Sequence, residues 1–287
     1  MNNVQKTNDN EVYVLGLKEK PKKWFLQKKW WFALLGIPAI VIIILFVLLN
    51  NNNNKEVEYF FEPETSNNAI SLPNSDTTEV EHGFIETSEI IVNDVPLIIY
   101  IPNNAVLSLA IGKPDKTDLK TVFVAQAADI RADNYDIVGE FVLEGKQLAH
   151  GTAKKGFCAI VDGTVTIGVG EKTTLLQNAI ETGGYFFRQY PLVSDGVIIE
   201  NKLKNKSIRR ALAIKNNQAM MFETVSAESF YDFSQALIDF GVSNAIYLVG
   251  SSAYGWYYDG AQQFHEFGIE NERMPKNTSY IVWKSLK

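Results

Sequence analysis

The stretch Phe157–Val169 (FCAIVDGTVTIGV) consists of two short apolar runs separated by an Asp-Gly pair. Runs of this length and composition, Phe157–Val161 and Val165–Val169, are typical of β-strands. The pair Asp162-Gly163 suits the two-residue turn of a hairpin, because both central positions of that turn need a positive φ. The stretch therefore predicts an antiparallel β-hairpin.

Similar apolar runs, bounded by turn residues, recur on both sides of this hairpin. The further predicted strands are Pro96–Ile101, Val106–Ile111, Val122–Ala125, Glu140–Leu143, Ala211–Ile214, Ala219–Glu223, Ala245–Val249 and Tyr280–Trp283. Two helices are predicted between strands, Thr174–Glu181 with Thr173 as N-cap and Ala227–Phe240 with Ser226 as N-cap. Many strands with a few packed helices indicate an α+β fold on a mixed or antiparallel sheet.

The segment Trp30–Leu49 (WWFALLGIPAIVIIILFVLL) has no charged residue in 20 positions. As a helix rising about 1.5 Å per residue it spans about 30 Å, the hydrocarbon thickness of a bilayer. The run ends in Asn50–Asn54 and lacks the small-residue cleavage site of a signal peptide. We therefore expect one N-terminal transmembrane helix that acts as an uncleaved signal anchor. A cleaved signal peptide and a buried soluble helix are the less favoured alternatives.

Charge predicts the orientation of this anchor and divides the chain into four parts. Residues 1–29 contain seven lysines against three acidic residues, and the positive-inside rule places such a tail in the cytoplasm. Residues 30–49 are the anchor, and 50–79 form a polar linker interrupted by prolines. Residues 80–287 then form a domain on the periplasmic or extracellular side of a single-pass membrane protein.

Composition excludes several classes of protein. The net charge is −6, and residues 50–287 hold 20 basic against 30 acidic side chains, which argues against binding to nucleic acid. The single cysteine, Cys158, excludes a disulfide framework and a cysteine-rich metal site. None of His82, His150 and His265 is paired at a metal-ligand spacing, so no metal ligands are predicted.

Five stretches of the sequence are similar to the motifs of a known family, in residues and in order. They are Val124–Asp129 (VAQAAD), Val138–Lys146 (VGEFVLEGK), Tyr190–Gly196 (YPLVSDG), Arg209–Ala213 (RRALA) and Ala236–Ser252 (ALIDFGVSNAIYLVGSS). Through them, and in their order, the chain from about Thr121 onward resembles the phosphodiester glycosidase domain family. The resemblance implies an extracytoplasmic hydrolase acting on a sugar phosphodiester or a related envelope glycan. The bacterial members of the family, with the lack of disulfides, favour a bacterial cell envelope.

The chain departs from the family pattern at three places. Gln126-Ala127 stands where the family has Asn-Gly, and Ala211 stands where it has Thr. Val249 stands where the family has the Asp of a Leu-Asp-Gly-Gly motif. Arg210 matches the family's motif arginine.

Hydrolysis of a sugar phosphodiester requires a cation for the phosphate and carboxylates near the anomeric carbon. The planar fork of an arginine suits a phosphate, so we expect Arg210, which matches the family's motif arginine, to hold the phosphate. An acid such as Asp129 would assist the leaving group, and Glu140 and Asp259 are the other candidate carboxylates. The candidates for substrate binding are Gln126, Arg209, Gly250, Ser251, Ser252, Tyr254, Trp256 and Asp259. Trp256 and its neighbouring tyrosines suit stacking on sugar rings, and a buried aromatic corner explains them equally well.

Three hypotheses about function follow from these features. The first is a hydrolase with a divergent active site, which needs no organic cofactor and whose use of a divalent metal stays open. The second is a catalytically inactive domain of the same fold that binds glycan or phosphoglycan, which the change to Val249 favours. The third is a structural partner in an envelope assembly. All three have the membrane as a partner through residues 30–49, and the sequence leaves the oligomeric state open.

Overall fold

Within residues 82–287, the part of the chain that the computed structural model describes, 17 strands form three sheets, and every pairing is antiparallel. The first sheet contains β1 (Phe84–Val92), β2 (Val95–Asn103), β10 (Pro191–Ser194), β11 (Val197–Ile198), β12 (Arg210–Lys215), β13 (Gln218–Thr224) and β14 (Asn244–Leu248). The second contains β3 (Ala105–Ile111), β4 (Thr121–Gln126), β15 (Gly255–Tyr258), β16 (Phe264–Phe267) and β17 (Ser279–Ser285). The third contains β5 (Phe141–Leu143), β6 (Lys146–Ala149), β7 (Gly156–Val161), β8 (Thr164–Val169) and β9 (Tyr185–Gln189).

The order of the strands brings distant parts of the chain together. The first sheet runs β1-β2-β13-β12-β14-β10-β11, the second β16-β15-β4-β17-β3 and the third β6-β5-β9-β7-β8. Strands β9 and β10 are separated by Tyr190 alone, so the chain passes from the third sheet into the first at this residue. This passage positions the candidate site described below.

Side chains that alternate along a strand point to opposite faces of its sheet, and both faces of the first sheet are buried. One face, with Leu212 and Met221, packs against side chains of the second and third sheets in the largest cluster of the core. The other face, with Phe222, is covered by the helix α2 (Phe230–Asp239), whose Phe233 and Leu237 are fully buried. Burying each of these side chains stabilises the fold by about 1.5–3 kcal/mol.

The predicted hairpin is confirmed as β7 and β8, and its turn residues have φ values of +48° at Asp162 and +76° at Gly163. The helix α1 (Thr174–Glu181) also forms as predicted, with the Thr173 hydroxyl accepting from the Leu175 N–H at 3.3 Å. Its Ala179 packs on the third sheet. The eight other predicted runs coincide with strands of the three sheets, except that Glu140 lies just before β5 and Val249 just after β14.

The prediction of the second helix was wrong at its N-terminus. The helix begins at Phe230 rather than Ala227, and its N-cap is Ser229 rather than Ser226. The backbone of Glu228 forms an antiparallel bridge with Ser207, which holds it in an extended conformation outside the helix.

The sequence-based prediction also omitted several strands, namely β1, β6, β9, β10, β11, β15 and β16. Most of these are short or polar, so their apolar pattern is weak. The predicted anchor, the linker and the cytoplasmic tail lie outside the described residues. Neither helix of residues 82–287 has the length and apolar character needed to cross a bilayer.

Candidate functional site

Asp129 lies three residues after the end of β4, at the base of a loop. Its backbone carbonyl accepts a hydrogen bond of 2.8 Å from the Val138 N–H, which closes the loop. Its carboxylate forms an ion pair with the Lys154 ammonium. The Asp129 side chain is 35% exposed and that of Lys154 only 7%, so the carboxylate is the accessible member of the pair.

Lys154 precedes β7, and its ammonium is held from several directions. Nζ donates to Gln189 Oε1 at 2.6 Å and lies 4.2 Å from the centroid of the Tyr190 ring. The buried guanidinium of Arg188 donates to the Lys154 carbonyl at 3.3 Å and so fixes its backbone. Burial lowers the pKa of the Lys154 ammonium, and the charge of Asp129 offsets part of this effect.

Gln189 is fully buried at the end of β9, and its side-chain amide has one determined orientation. Oε1 accepts from Lys154 Nζ and, at 3.1 Å, from the Tyr190 N–H. Both of these partners are donors, so the oxygen must face them and the nitrogen must point elsewhere. Within residues 82–287, Gln189 Nε2 has no hydrogen-bond partner. A buried donor without a partner is uncommon and calls for an explanation.

Tyr190 connects this group to a second one. Burial, and then the nearby Asp129 carboxylate and the Tyr247 phenol, raise the pKa of the Tyr190 phenol. The Tyr190 carbonyl accepts from the Tyr247 N–H at 2.9 Å, and the Tyr247 hydroxyl accepts from the Gly250 N–H at 3.3 Å. We name Asp129, Lys154, Gln189 and Tyr190 the Asp129 cluster.

Arg210 is 1% exposed, and its guanidinium is already engaged. It donates to both carboxylate oxygens of Glu223, at 3.0 and 3.2 Å, and to the Ala253 carbonyl. Its guanidinium carbon lies 4.6 Å from the centroid of the Phe267 ring. The Tyr100 hydroxyl donates to Glu223 at 3.4 Å, and burial followed by the Glu223 charge raises the pKa of that phenol. The contact with Ala253 joins Arg210 to the Gly250–Ser252 turn.

Arg209 is buried beside a different part of the structure. Its guanidinium donates to the backbone carbonyls of Glu228, at 2.8 Å, and of Asn205. It also lies 4.3 Å from the centroid of the Phe230 ring. These contacts tie the start of α2 to β12.

The Gly250–Ser252 turn depends on the close approach of two backbone segments. A Cβ atom at Gly250 would collide with the Ile208 carbonyl oxygen. The same oxygen accepts from the Ser251 N–H at 2.9 Å, and Ser251 has a φ of +56°. The side chains of Ser251 and Ser252 are exposed.

Three of the predicted site residues lie on or beside β15. The Tyr254 hydroxyl donates to Glu266, and burial followed by this bond raises the pKa of the phenol to about 12. Trp256 is 1% exposed and packs among aromatic side chains. Asp259 accepts from His265 Nε2 at 2.8 Å. The Gln263 N–H and then this histidine lower the pKa of Asp259.

The structure thus divides the predicted site residues into groups. Asp129 belongs to its own cluster. Gln126 is buried at the end of β4, three residues before Asp129 in the sequence. Arg210 adjoins the Gly250–Ser252 turn, and Tyr190 with Tyr247 links that turn to Asp129. Tyr254, Trp256 and Asp259 belong to the β15–β16 hairpin and its flanks.

The sequence-based prediction did not include the partners of the two ionic groups among the site residues, namely Lys154, Gln189, Tyr190 and Glu223. A signal for Gln189 and Tyr190 was present in the sequence, because the polar pair Arg188-Gln189 directly follows the apolar pair Phe186-Phe187. Polar residues that continue an apolar run indicate polar side chains in a buried strand, which here is β9. Lys154 lies in a polar loop and gave no such signal. Within residues 82–287, no three His, Cys, Asp or Glu side chains are grouped so that they could hold a metal ion.

One model of a known protein family matches the sequence. A family model described as phosphodiester glycosidase matches residues 120–282. A solved structure of a hypothetical protein from Synechocystis is similar with a TM-score of 0.52 and 12% identity, over 71% of this chain and 62% of that one. The zebrafish N-acetylglucosamine-1-phosphodiester alpha-N-acetylglucosaminidase catalytic domain, auto-inhibited by its pro-peptide, gives a TM-score of 0.49 and 14% identity, over 70% of this chain and 82% of that one. A search of the curated proteins found no match.

Proposed function

Because the chain belongs to the phosphodiester glycosidase family, we propose that it hydrolyses a sugar phosphodiester at the Asp129 cluster. The observation that supports this site is the accessible carboxylate of Asp129 held by the buried ammonium of Lys154. Cleavage of a glycosidic bond needs such a carboxyl group, as general acid or as a charge that stabilises the oxocarbenium-like transition state. All members of the cluster lie within the matched range of residues 120–282.

Arg210 and the Gly250–Ser252 turn have the role of anion ligands in this proposal. A guanidinium has five N–H groups, and Glu223 with Ala253 occupies three of them in Arg210. The remaining two are the donors that a phosphate oxygen would take. The exposed hydroxyls of Ser251 and Ser252 are the further donors proposed for the substrate.

The place of action is also a proposal. Residues 30–49 would anchor the protein in the cytoplasmic membrane, and its domain would meet an envelope glycan on the outer side. The uncharged anchor and the lysine-rich tail before it support this orientation.

The test is turnover of a chromogenic sugar phosphodiester by the full chain in a mild detergent, with and without a chelator of divalent metals. We expect Asp129→Asn to lower kcat/KM by about 10²–10⁴-fold, the usual contribution of a general acid or base. The matched control is Asp133→Asn, which removes an exposed carboxylate from the same loop. Equal turnover by wild type and Asp129→Asn would remove Asp129 from the mechanism.

A second function has specific observations in its favour. Val249 replaces the carboxylate of the family motif, whereas Arg210 keeps the motif's arginine. Both features fit a domain that binds a phosphoglycan without cleaving it. Absence of turnover on a panel of diesters, together with measurable binding of the same compounds, would favour this alternative.

A further inference from the structure

The Asp129 cluster contains two buried donors that the fold does not fully use. The Lys154 ammonium carries a charge whose burial is costly unless an anion compensates it, and Asp129 is its only carboxylate partner within residues 82–287. The Gln189 Nε2 group, on the same amide that binds Lys154, has no partner in that part of the chain. A site with a cation and a free N–H donor favours an anionic ligand with more than one acceptor oxygen.

The neighbouring groups further restrict the kinds of ligand that could bind here. Gln189 must keep Oε1 towards Lys154, so only its donor is available to a ligand. The ring face of Tyr190 covers another side of the ammonium and offers it no competing charge. A tetrahedral phosphoryl group supplies several acceptor oxygens together with the negative charge.

We propose that Lys154 Nζ and Gln189 Nε2 bind the phosphoryl group together with the donors already proposed at Arg210 and the Gly250–Ser252 turn, and that Asp129 pairs with Lys154 in the free protein. On binding, a phosphoryl oxygen replaces the Asp129 carboxylate as the partner of Lys154. A second oxygen accepts from Gln189 Nε2. The released Asp129 then faces the substrate. This inference rests on the proposed function for the identity of the ligand, and it assigns Lys154 and Gln189 a role of their own.

The test measures binding to the full chain in detergent, without turnover. The probes are inorganic phosphate, a sugar 1-phosphate and the neutral methyl glycoside of the same sugar, each titrated by calorimetry at neutral pH. We expect both phosphates to bind and Asp129→Asn to bind them more tightly, because that change removes the competing carboxylate. Lys154→Met and Gln189→Glu should each weaken binding by about 10- to 100-fold, the usual effect of losing a hydrogen bond to a charged group.

Folding is controlled with a paired variant. Lys154→Met alone leaves Asp129 without its cation, whereas Asp129→Asn with Lys154→Met removes both charges of the pair together. We expect this double variant to unfold at a temperature close to that of wild type and yet to bind both phosphates as weakly as Lys154→Met does. Phosphate affinity equal to that of wild type in the folded double variant would overturn the proposal.

The alternative is that Lys154 is merely the structural counter-ion of Asp129. In that case Asp129→Asn would leave phosphate affinity unchanged, and the inference would fail. Binding of the methyl glycoside alone would also contradict it. If wild type binds phosphate with the expected dependence on Lys154 and cleaves no diester, the subsite stands and the proposed hydrolysis fails. If turnover depends on Asp129 while phosphate affinity is insensitive to Lys154→Met, the proposed hydrolysis stands and the subsite fails.

Discussion

At the scale of single residues, the ion pair between Arg210 and Glu223 decides how the candidate arginine can be tested. Both side chains are buried and joined by two hydrogen bonds, and Tyr100 donates to the same carboxylate. Removing one partner of such a pair leaves the other charge buried without compensation. Loss of activity in an Arg210→Ala variant would therefore combine a local defect with partial unfolding.

We expect Arg210→Ala to lower the free energy of unfolding by about 3–5 kcal/mol, whereas Arg210→Met with Glu223→Leu should cost much less. Urea denaturation of the three proteins measures the difference. A cost below about 1 kcal/mol for the single change would mean that Glu223 is rehydrated or finds another cation, because exposed pairs contribute at most that much. If the single change is as costly as expected, the double variant is the better protein to compare with wild type for phosphate binding by Arg210.

At the scale of elements, α2 shows how a tertiary contact moves the end of a helix. Ser229 accepts from the Asp232 N–H at 3.0 Å and donates to the Asp232 carboxylate at 2.7 Å, which caps the first turn. Ser226 instead donates to the Glu228 carboxylate at 2.7 Å and lies outside the helix. The carbonyl of Glu228 is occupied by Arg209 and by the bridge to Ser207.

We expect Ser229→Ala to destabilise the protein by about 1 kcal/mol, the usual cost of losing an N-cap. The same change should speed hydrogen exchange at the Asp232 amide, whose acceptor is lost. Ser226→Ala is the matched control, since it removes a hydroxyl three residues away and should leave exchange at Asp232 unchanged. If exchange at the Asp232 amide is instead faster in Ser226→Ala, the result would support the longer helix predicted from the sequence, with Ser226 as its N-cap.

At the scale of the whole molecule, buried phenols make stability sensitive to alkaline pH. Burial is the first cause of the raised pKa values of Tyr100, Tyr254 and Tyr280. The folded protein therefore holds these protons more tightly than the unfolded chain does. Their contribution to stability is complete below the unfolded pKa of about 10 and is lost as the pH rises above it.

For Tyr254, the window runs from about pH 10 to the folded pKa of about 12. We expect the unfolding temperature to fall through this window in wild type and to fall less in Tyr254→Phe. Phenolate absorbance followed in the same samples should rise together with unfolding for the buried tyrosines. Ionisation of all the phenols near pH 10 with the fold intact would contradict the burial of these side chains.

The sequence by itself determined the elements whose signals are local. The hairpin at Asp162-Gly163 and the cap at Thr173 depend on residues adjacent in the chain, and both form as predicted. Many strands could likewise be predicted, because an apolar run retains its pattern wherever it packs. The family could also be recognised, since its motifs keep their order along the chain.

Only the tertiary structure decided which side chains meet. Lys154 lies 25 residues from Asp129 and 35 from Gln189. The pairing of β7 with β9 places Lys154 beside Gln189, and the loop that follows β4 of the second sheet brings Asp129 to them. Glu223 reaches Arg210 because β13 pairs with β12 in one register. The start of α2 was likewise set by Arg209 and Ser207 on another part of the chain. Such contacts depend on pairing between distant strands, and no local pattern of residues encodes that pairing.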